Sequence, residues 1–529
     1  MDKKQTNNEK HKINLKNINW KSISKDIAYW VFFIILVVFF NYAKFNSEAR
    51  NDAYFYFNII EEQRAAFVLW FVFALVLNII LHVIKNKKLE LHQIFIVIAV
   101  FLGICFGIII PLGQGSDETS HFIRIYEISR KYTTLNYEES TEFPRAFELL
   151  GDYQAQKEIS YKQYIENYDE FLMNSNDKVD LKGKYWNTKL YSPIQYLPQV
   201  IGVTLGRVFS DNILVIGTLG RIFGFIAWVT ACAYAIKIIP NKKIFILILC
   251  LLPINIFSAV CLSGDTLTNA VTVLFIAIIY RKVYLHEEVK IKDKIILLVL
   301  GALIALCKIV YLPIIFLVCL LSKDLFKNKK VWISFNISLI ILSCIVGLTW
   351  LTIGSGSLSD SNPASKEQVE YIFEDPIRYC LITMDTFMVR GVAYINQFMT
   401  GDDIACQGRA RIYPIISYII GAVVLISLFL DEDNDDIKMS VLQKWIVGLV
   451  ILGTCALICT ALYVQWTSLF TIGGGMIEGI QGRYFIPVAM ILIFISTSIK
   501  ISIKNKENLI TFLSVIQLPI MGLIISSFI

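Results

Sequence analysis

The residues best suited to chemistry follow the third long apolar stretch of the chain, in the segment GQGSDETSHFIRIYEISR at 113–130. Asp117, His121 and Arg124 are spaced i, i+4 and i+7, so on a helix they share one face, and Glu118 follows Asp117 directly. A carboxylate at the edge of a bilayer can act as a general base on a hydroxyl group. A structural alternative stays open, because acids in the first turn also favour the start of a helix.

Positively charged residues stand at three places where hydrocarbon is expected. Arg221 lies inside an apolar stretch, Lys308 interrupts another, and Arg483 begins a third. Such charges either pair within the protein or bind a substrate. Arg suits bidentate phosphate contacts and Lys supplies a compact positive charge. We expect Asp265 to bind a polar group of a substrate, to hold one of these cations or to cap a helix.

The composition places all of these residues in a membrane protein. Of 529 residues, 56% are hydrophobic and 17% are charged, whereas soluble domains have about a quarter of their residues charged. The apolar runs are roughly 17–25 residues long, enough to cross a bilayer core of about 30 Å. This excludes a soluble enzyme, a disordered chain and a disulfide-stapled secreted module. Lys and Arg are not interleaved with aromatic residues in a block, so we expect no nucleic-acid partner.

The distribution of lysines predicts the topology of an all-α, multi-pass protein with its N-terminus in the cytoplasm. Lysine-rich segments mark the inner face, so 113–191 becomes a large outer loop. Pro193–Gly206 is predicted as an interfacial or re-entrant helix, and Ile377–Met399 as a second interfacial helix. We predict a basic tail (1–25), a two-helix addition (26–90), a core (91–500) and a last helix (501–529). The thirteen predicted spans are 29–42, 65–84, 94–112, 212–239, 244–262, 266–280, 295–306, 309–321, 331–353, 412–430, 441–463, 484–499 and 509–528.

Cysteines and glycines contribute little to a functional assignment. Most of the eleven cysteines lie in apolar runs, where they resemble small buried hydrophobes. Only Cys380 and Cys406 fall in polar stretches, where a bridge between them is one option. The run at 473–475 is three glycines without the Lys-Ser/Thr of a nucleotide-binding loop, so we interpret it as part of a mobile outer loop.

Five short motifs resemble, in their order along the chain, a bacterial domain-of-unknown-function family that is placed with the GT-C glycosyltransferases. They run from about residue 95 to 500, and the first two spans look like an addition before this shared core. Each motif alone is unspecific, whereas five in order with a fitting topology are more specific. The motifs are DE-x-x-H-x-x-R from Asp117, Tyr191-Ser-Pro-x-x-Tyr-Leu-Pro198, Ser263-Gly-Asp265, Lys308-x-x-Tyr311-x-Pro313 and Gln481-Gly-Arg483-Tyr484-Phe485-x-Pro487.

The resemblance implies an inverting enzyme of the bacterial plasma membrane that moves a sugar from a polyprenyl-phosphate carrier to an envelope glycan on the outer side. By this resemblance the base is Asp117 or Glu118; Asp117 is favoured, with Glu118 as an orienter or metal ligand. A divalent metal ion is an optional cofactor. The alternatives are a transporter or flippase of lipid-linked sugars and a non-catalytic scaffold. The expected substrate-binding residues are His121, Arg124, Tyr191, Arg221, Asp265, Lys308, Tyr311, Arg483 and Tyr484.

Overall fold

The structure of the chain is a computed structural model in which nearly every described segment is helical. The described residues are 20–48, 64–133, 142–156, 159–173, 177–181, 186–356, 364–402, 412–430, 439–495 and 506–528. Cys406 and the acidic stretch at 431–436 lie outside them, so the proposed bridge to Cys380 falls outside the described residues as well.

Three long helices open the chain: α1 (Trp20–Glu48), α2 (Arg64–Lys87) and α3 (Leu91–Ile109). Trp70 of α2 packs edge-on against Phe33 of α1, with ring centroids 5.1 Å apart. Its indole N–H donates a hydrogen bond of 2.9 Å to the carbonyl of Leu518 near the other end of the chain. The two-helix addition is therefore attached to the C-terminal helices as well as to the core.

The described parts of the predicted outer loop at 113–191 form a small cap, which contains a short β-ribbon. Its elements are α4 (Glu118–Thr133), β1 (Glu142–Pro144), α5 (Ala146–Ala155), α6 (Tyr161–Glu166), a 3₁₀ helix (Tyr168–Phe171), β2 (Lys178–Asp180) and a 3₁₀ helix (Trp186–Leu190). The strands β1 and β2 pair antiparallel. Tyr153 packs edge-on against Tyr164 and Phe171, with ring centroids 5.1 and 5.4 Å apart, and all three side chains are buried. These two tyrosines therefore form part of the aromatic packing of the cap.

The chain returns to the core through a tight helical hairpin. A 3₁₀ helix (Pro193–Tyr196) leads into α7 (Leu197–Phe209), and α8 (Ile213–Ile238) follows. A Cβ at Gly202 would lie only 2.4 Å from the carbonyl oxygen of Leu219, so glycine is what allows these helices to touch. Next come α9 (Lys243–Cys250) and α10 (Pro253–Val260), bent by 57° at their junction, and then α11 (Asp265–Leu285).

The predicted break at Lys308 is confirmed. The helix α12 (Ile291–Cys307) ends there, and Lys308 is extended (φ −152°, ψ 116°) before a twelve-residue 3₁₀ helix (Ile309–Leu320) that contains Pro313. Proline lacks an N–H and clashes with the carbonyl four residues earlier, which disfavours an α-helix here.

The second half of the chain packs further helices around this break. They are a 3₁₀ helix (Lys323–Leu325), α13 (Lys329–Gly356), α14 (Ala364–Glu374), α15 (Pro376–Thr400), α16 (Pro414–Phe429), α17 (Val441–Gln465), 3₁₀ helices (Thr467–Leu469 and Gly482–Phe485), α18 (Ile486–Ile491), a 3₁₀ helix (Leu492–Phe494), α19 (Lys506–Val515) and α20 (Gln517–Phe528).

The described helices support a multi-pass membrane protein with fewer spans than the thirteen predicted. Seven are long and apolar enough to cross a membrane, or eight if the bent α9–α10 pair counts as one span. The predicted spans 295–306, 309–321 and 412–430 form helices of only 17, 12 and 16 residues. About 20 residues are needed for a straight crossing. Hydropathy alone overcounted because it does not register where a helix breaks.

Candidate functional site

Asp117 lies in the turn that joins α3 to α4, in a backbone conformation that few side chains adopt. Its φ is +58°, in the left-handed region, where a residue with a Cβ is strained by about 1–3 kcal/mol. The side chain is 48% exposed, and its Oδ2 accepts one hydrogen bond of 2.9 Å from Nη2 of Arg483. Strained residues of this kind cluster at functional sites. Asp117 is therefore an accessible carboxylate held in place by the surrounding fold.

Four charged side chains, Asp117, Arg483, Asp265 and Lys308, form a line of alternating sign, which we call the ion line. Nε of Arg483 lies 3.4 Å from Oδ2 of Asp265, and Oδ1 of Asp265 accepts a 2.5 Å hydrogen bond from Nζ of Lys308. Arg483 and Asp265 are buried, with 5% and 7% of their side chains exposed. Buried charges are tolerated only when paired, and here two acids balance two bases.

Breaks in the helices position three members of the ion line. Asp265 is the first residue of α11, and its N–H donates to Oγ of Ser263. Lys308 is the extended residue after α12, and Arg483 lies in the short 3₁₀ helix before α18. The sequence motifs therefore coincide with the ends of helices, and those ends meet in space.

Aromatic rings cover the cationic end of the ion line. Nζ of Lys308 lies 4.8 Å from the ring centroid of Tyr484 and 5.7 Å from that of Tyr191. The guanidinium of Arg483 lies 5.4 Å from the Tyr484 ring. Cations are attracted to such ring faces. The hydroxyl of Tyr311 donates to the carbonyl of Tyr484 at 3.0 Å and so fixes that residue.

An apolar cavity of about 120 Å³ opens beside Lys308. Tyr191, Lys308 and Tyr484 form its polar end, and residues of α12, α13 and α17 form its walls. Among these wall residues, Trp350 donates its indole N–H to the carbonyl of Leu190 at 2.8 Å. These wall residues cannot be singled out from the sequence, because apolar residues are expected throughout a membrane helix.

Glu118 and Arg221 form a separate, buried pair next to the ion line. Glu118 is fully buried and accepts from Nε and Nη2 of Arg221 at 2.7 and 2.6 Å. Its oxygens also accept the N–H groups of Gly113, Gly115 and Leu262. Arg221 donates further to the carbonyls of Ile110 and Pro111. Both oxygens of Glu118 are thus engaged, so we assign this pair to holding the turn that carries Asp117.

Of the eleven residues predicted for the site, four form the ion line, four lie beside it, and three have partners elsewhere. Arg124 donates to Glu127 at 2.5 Å, one turn along α4, and its predicted contact with the substrate stays a prediction. The other two are Glu118 and Arg221. The eight that come together are Asp117, His121, Tyr191, Asp265, Lys308, Tyr311, Arg483 and Tyr484.

The chain was compared with known proteins and protein families. Residues 100–492, well over half of the chain, match the family described as predicted membrane protein (DUF2142). The chain belongs to the DUF2142 family. No curated protein and no solved structure matches it. The family match extends over the turn of Asp117, the break at Lys308 and Arg483, so the whole ion line lies in the part of the chain that defines this DUF2142 protein as a family member.

The described part of this DUF2142 chain offers no set of metal ligands. No three His, Cys, Asp or Glu side chains in the described ranges are grouped so that they could hold a metal ion. Glu118, the residue proposed as a metal ligand, has both oxygens occupied by N–H donors. The residues do not fit the optional divalent metal, and we derive no step through one.

His121 is a buried histidine beside the ion line. Its Nδ1 lies 2.7 Å from the hydroxyl of Tyr196, and its ring stacks on Tyr191 at a centroid distance of 5.9 Å. The pKa of His121 is lowered to about 4, mainly by burial; the positive charges of Arg483 and Lys308 contribute to the lowering, and the carboxylates of Asp117 and Asp265 oppose it. The imidazole is therefore neutral near pH 7 and serves as a hydrogen-bonding group.

We expect His121 to make the protein lose stability between pH 6.5 and pH 5. Protonation favours the unfolded state, where the pKa of histidine is about 6.5. The stability is therefore complete above pH 6.5 and falls as the pH drops toward the folded value, by about 2 kcal/mol at pH 5. Melting temperatures in detergent at pH 7 and pH 5 should fall more for the wild type than for His121→Gln. Equal decreases for both proteins would contradict the assignment.

Proposed function

We propose that the protein is a GT-C-type glycosyltransferase of the bacterial plasma membrane, with its N-terminus in the cytoplasm. It would move a sugar from a polyprenyl-phosphate carrier to a hydroxyl of an envelope glycan on the extracytoplasmic face. The observation that carries the proposal is the ion line ending at an apolar cavity. A lipid with an anionic head group and a long hydrocarbon tail needs a charged surface and an apolar cavity side by side.

The cationic end of the ion line suits the phosphate of such a donor. Among the described residues, no acceptor completes a hydrogen bond with Nε of Arg483, although the side chain is 95% buried. A phosphate oxygen between Arg483 and Lys308 would receive charge-assisted hydrogen bonds from both. The isoprenoid tail would then lie in the cavity between α12, α13 and α17.

Asp117 is the group placed to remove a proton from the acceptor. Its carboxylate is half exposed and, within the described ranges, accepts one hydrogen bond, from Arg483. A phosphate that draws Arg483 toward itself would weaken this bond and leave Asp117 more basic. The acceptor oxygen would attack the anomeric carbon as its proton passes to Asp117 and the carbon–oxygen bond to phosphate breaks. Lys308 and Arg483 would stabilise the charge on the departing phosphate.

A transporter or flippase of lipid-linked sugars is the second candidate. The break at Lys308 favours it, because long 3₁₀ stretches such as Ile309–Leu320 often mark hinges. A transporter needs the cations and the cavity but has no use for Asp117. A non-catalytic scaffold needs none of these groups.

One assay separates these functions. The purified protein is reconstituted in lipid vesicles with a polyprenyl phosphate that carries a radiolabelled sugar, and an envelope glycan is added outside. Label in the glycan supports the transferase, and label moved between leaflets without transfer supports the flippase. If neither occurs with a panel of lipid-linked sugars, both proposals are wrong and a scaffold remains.

We expect Lys308→Met to weaken donor binding. One charge-assisted contact contributes about 1.5–3 kcal/mol, which corresponds to about 10- to 100-fold in the dissociation constant. Binding of sugar-free polyprenyl phosphate to protein in nanodiscs measures this without any need for turnover. The matched control is Lys323→Met, which changes an exposed lysine that follows the 3₁₀ helix Ile309–Leu320.

Among the residues that the structure describes, loss of Lys308 leaves Arg483 as the remaining ion-pair partner of Asp265, so folding must be checked separately. The double variant Asp265→Asn with Lys308→Met removes both charges of that pair and should melt closer to the wild type than the single variant. If this double variant is folded and binds polyprenyl phosphate as tightly as the wild type, Lys308 has no part in the donor site.

A further inference from the structure

Arg483 stands at the end of a segment that has its own attachment to the protein. This segment, Trp466–Gly482, joins α17 to the 3₁₀ helix that contains Arg483, and we call it the strap. Ile477 and Ile480 of the strap are buried in a small apolar cluster that is separate from the main core. The cluster includes Ile382 and Tyr394 of α15. The strap is therefore packed on α15 and is not simply a loop between two helices.

Hydrogen bonds fix the strap backbone to side chains of α14 and α15. The N–H of Gly473 donates to Oε1 of Gln368, and that of Ile477 donates to Oγ1 of Thr386, both at 3.0 Å. The N–H of Gly482 donates to Oε1 of Gln397 at 3.0 Å. A Cβ on Gly482 would lie 2.4 Å from the backbone nitrogen of Phe398, so the strap touches α15 one residue before Arg483.

An ion pair joins the middle of the strap to the same helix. Nη1 and Nη2 of Arg390 donate to the two carboxylate oxygens of Glu478 at 2.7 and 2.8 Å. Both side chains are more than a third exposed, and pairs of this kind contribute at most about 1 kcal/mol to overall stability. The hydrogen bonds from Arg390 lower the pKa of Glu478, so the pair is intact at neutral pH. The pair therefore acts on the position of the strap and contributes little to the stability of the whole protein.

We infer that Arg390 and Glu478 are positioning residues, which hold the strap on α15 so that Arg483 reaches both Asp117 and the donor phosphate. This inference rests on the proposed function for its effect on transfer, and on geometry alone for its effect on the strap. Neither residue touches the ion line. Loss of the pair frees the strap between Ile477 and Gly482, and Arg483 then spends less time between its two partners.

The test compares Arg390→Gln, Glu478→Gln and the charge-swapped double variant Arg390→Glu with Glu478→Arg. Amide hydrogen exchange in nanodiscs reports the strap directly. We expect both single variants to speed exchange at the amides of Ile477 and Gly482 by about two- to fivefold, with an unchanged melting temperature, and the swap to restore slow exchange. In the transfer assay the single variants should raise KM for the lipid-linked sugar more than they lower kcat, and the swap should reverse this.

The control removes an exposed ion pair elsewhere. Lys162 and Glu166 lie 3.8 Å apart on α6 of the cap, and Lys162→Gln should change neither the strap nor the KM. Unchanged exchange in the single variants, or a swap that does not restore it, overturns the positioning role. If the wild type transfers no sugar, the proposed function fails, and the exchange measurements still decide whether the pair holds the strap.

Discussion

Asp117→Asn is expected to reduce sugar transfer by about 10²- to 10⁴-fold, the usual contribution of a general base. The amide keeps the shape of the side chain and still accepts a hydrogen bond from Arg483, but it cannot take a proton from the acceptor. Asparagine also adopts the left-handed conformation readily, so the φ of +58° at this position is kept. The variant therefore removes the base without disturbing the turn.

The measurement is a rate of transfer under saturating donor, with donor binding and melting temperature determined on the same samples. Both should stay close to the wild type, because Asp117 makes one hydrogen bond from a half-exposed position. Glu166→Gln, the same acid-to-amide change at an exposed residue of the cap, is the matched control. Transfer that survives Asp117→Asn undiminished would remove this residue from the base role.

The members of the ion line could be predicted as candidates from the sequence, but their pairing could not. Lys308 and Arg483 were conspicuous because charge is unfavourable in hydrocarbon, and Asp117 because it follows an apolar stretch. The sequence contains no distance, however, and Asp117 and Arg483 are 366 positions apart. The break at Lys308 was also predictable, since Pro313 and a lysine interrupt one apolar run. That three helix ends would meet at one point depends on how the whole bundle packs.

The sequence does not separate the roles of Asp117 and Glu118, because those roles depend on how deeply each side chain is buried. Glu118 and Asp117 are neighbours of the same chemical type, yet one is fully buried and the other half exposed. Their side chains leave the start of a helix in different directions, and only the packing of α8 shows which one meets Arg221. The count of membrane spans failed for a related reason. Hydropathy averages residues over a window, whereas a span depends on an unbroken helix.

Glu118→Gln is expected to destabilise the protein strongly, in contrast to the change one residue earlier. Removing one charge of a buried pair costs about 3–5 kcal/mol, because the partner is left buried and uncompensated. Here Arg221 would lose its counter-ion. The amide N–H₂ would face either the N–H groups of Gly113 and Gly115 or the N–H group of Leu262, since these donors bind different oxygens of Glu118. We expect little folded protein in membranes and a melting temperature well below those of Asp117→Asn and the Glu166→Gln control.

A double-mutant cycle decides whether this loss belongs to the pair. Arg221→Met should be nearly as damaging as Glu118→Gln, and the double variant should be far less damaging than the sum of the two, because residues in direct contact are not additive. A Glu118→Gln protein as stable as the wild type, but without transfer, would give Glu118 the catalytic role that the geometry gives to Asp117. Glu118 would then be the base, and Asp117 would be the residue that holds the turn. Measuring Asp117→Asn and Glu118→Gln side by side therefore tests the site more sharply than either variant alone.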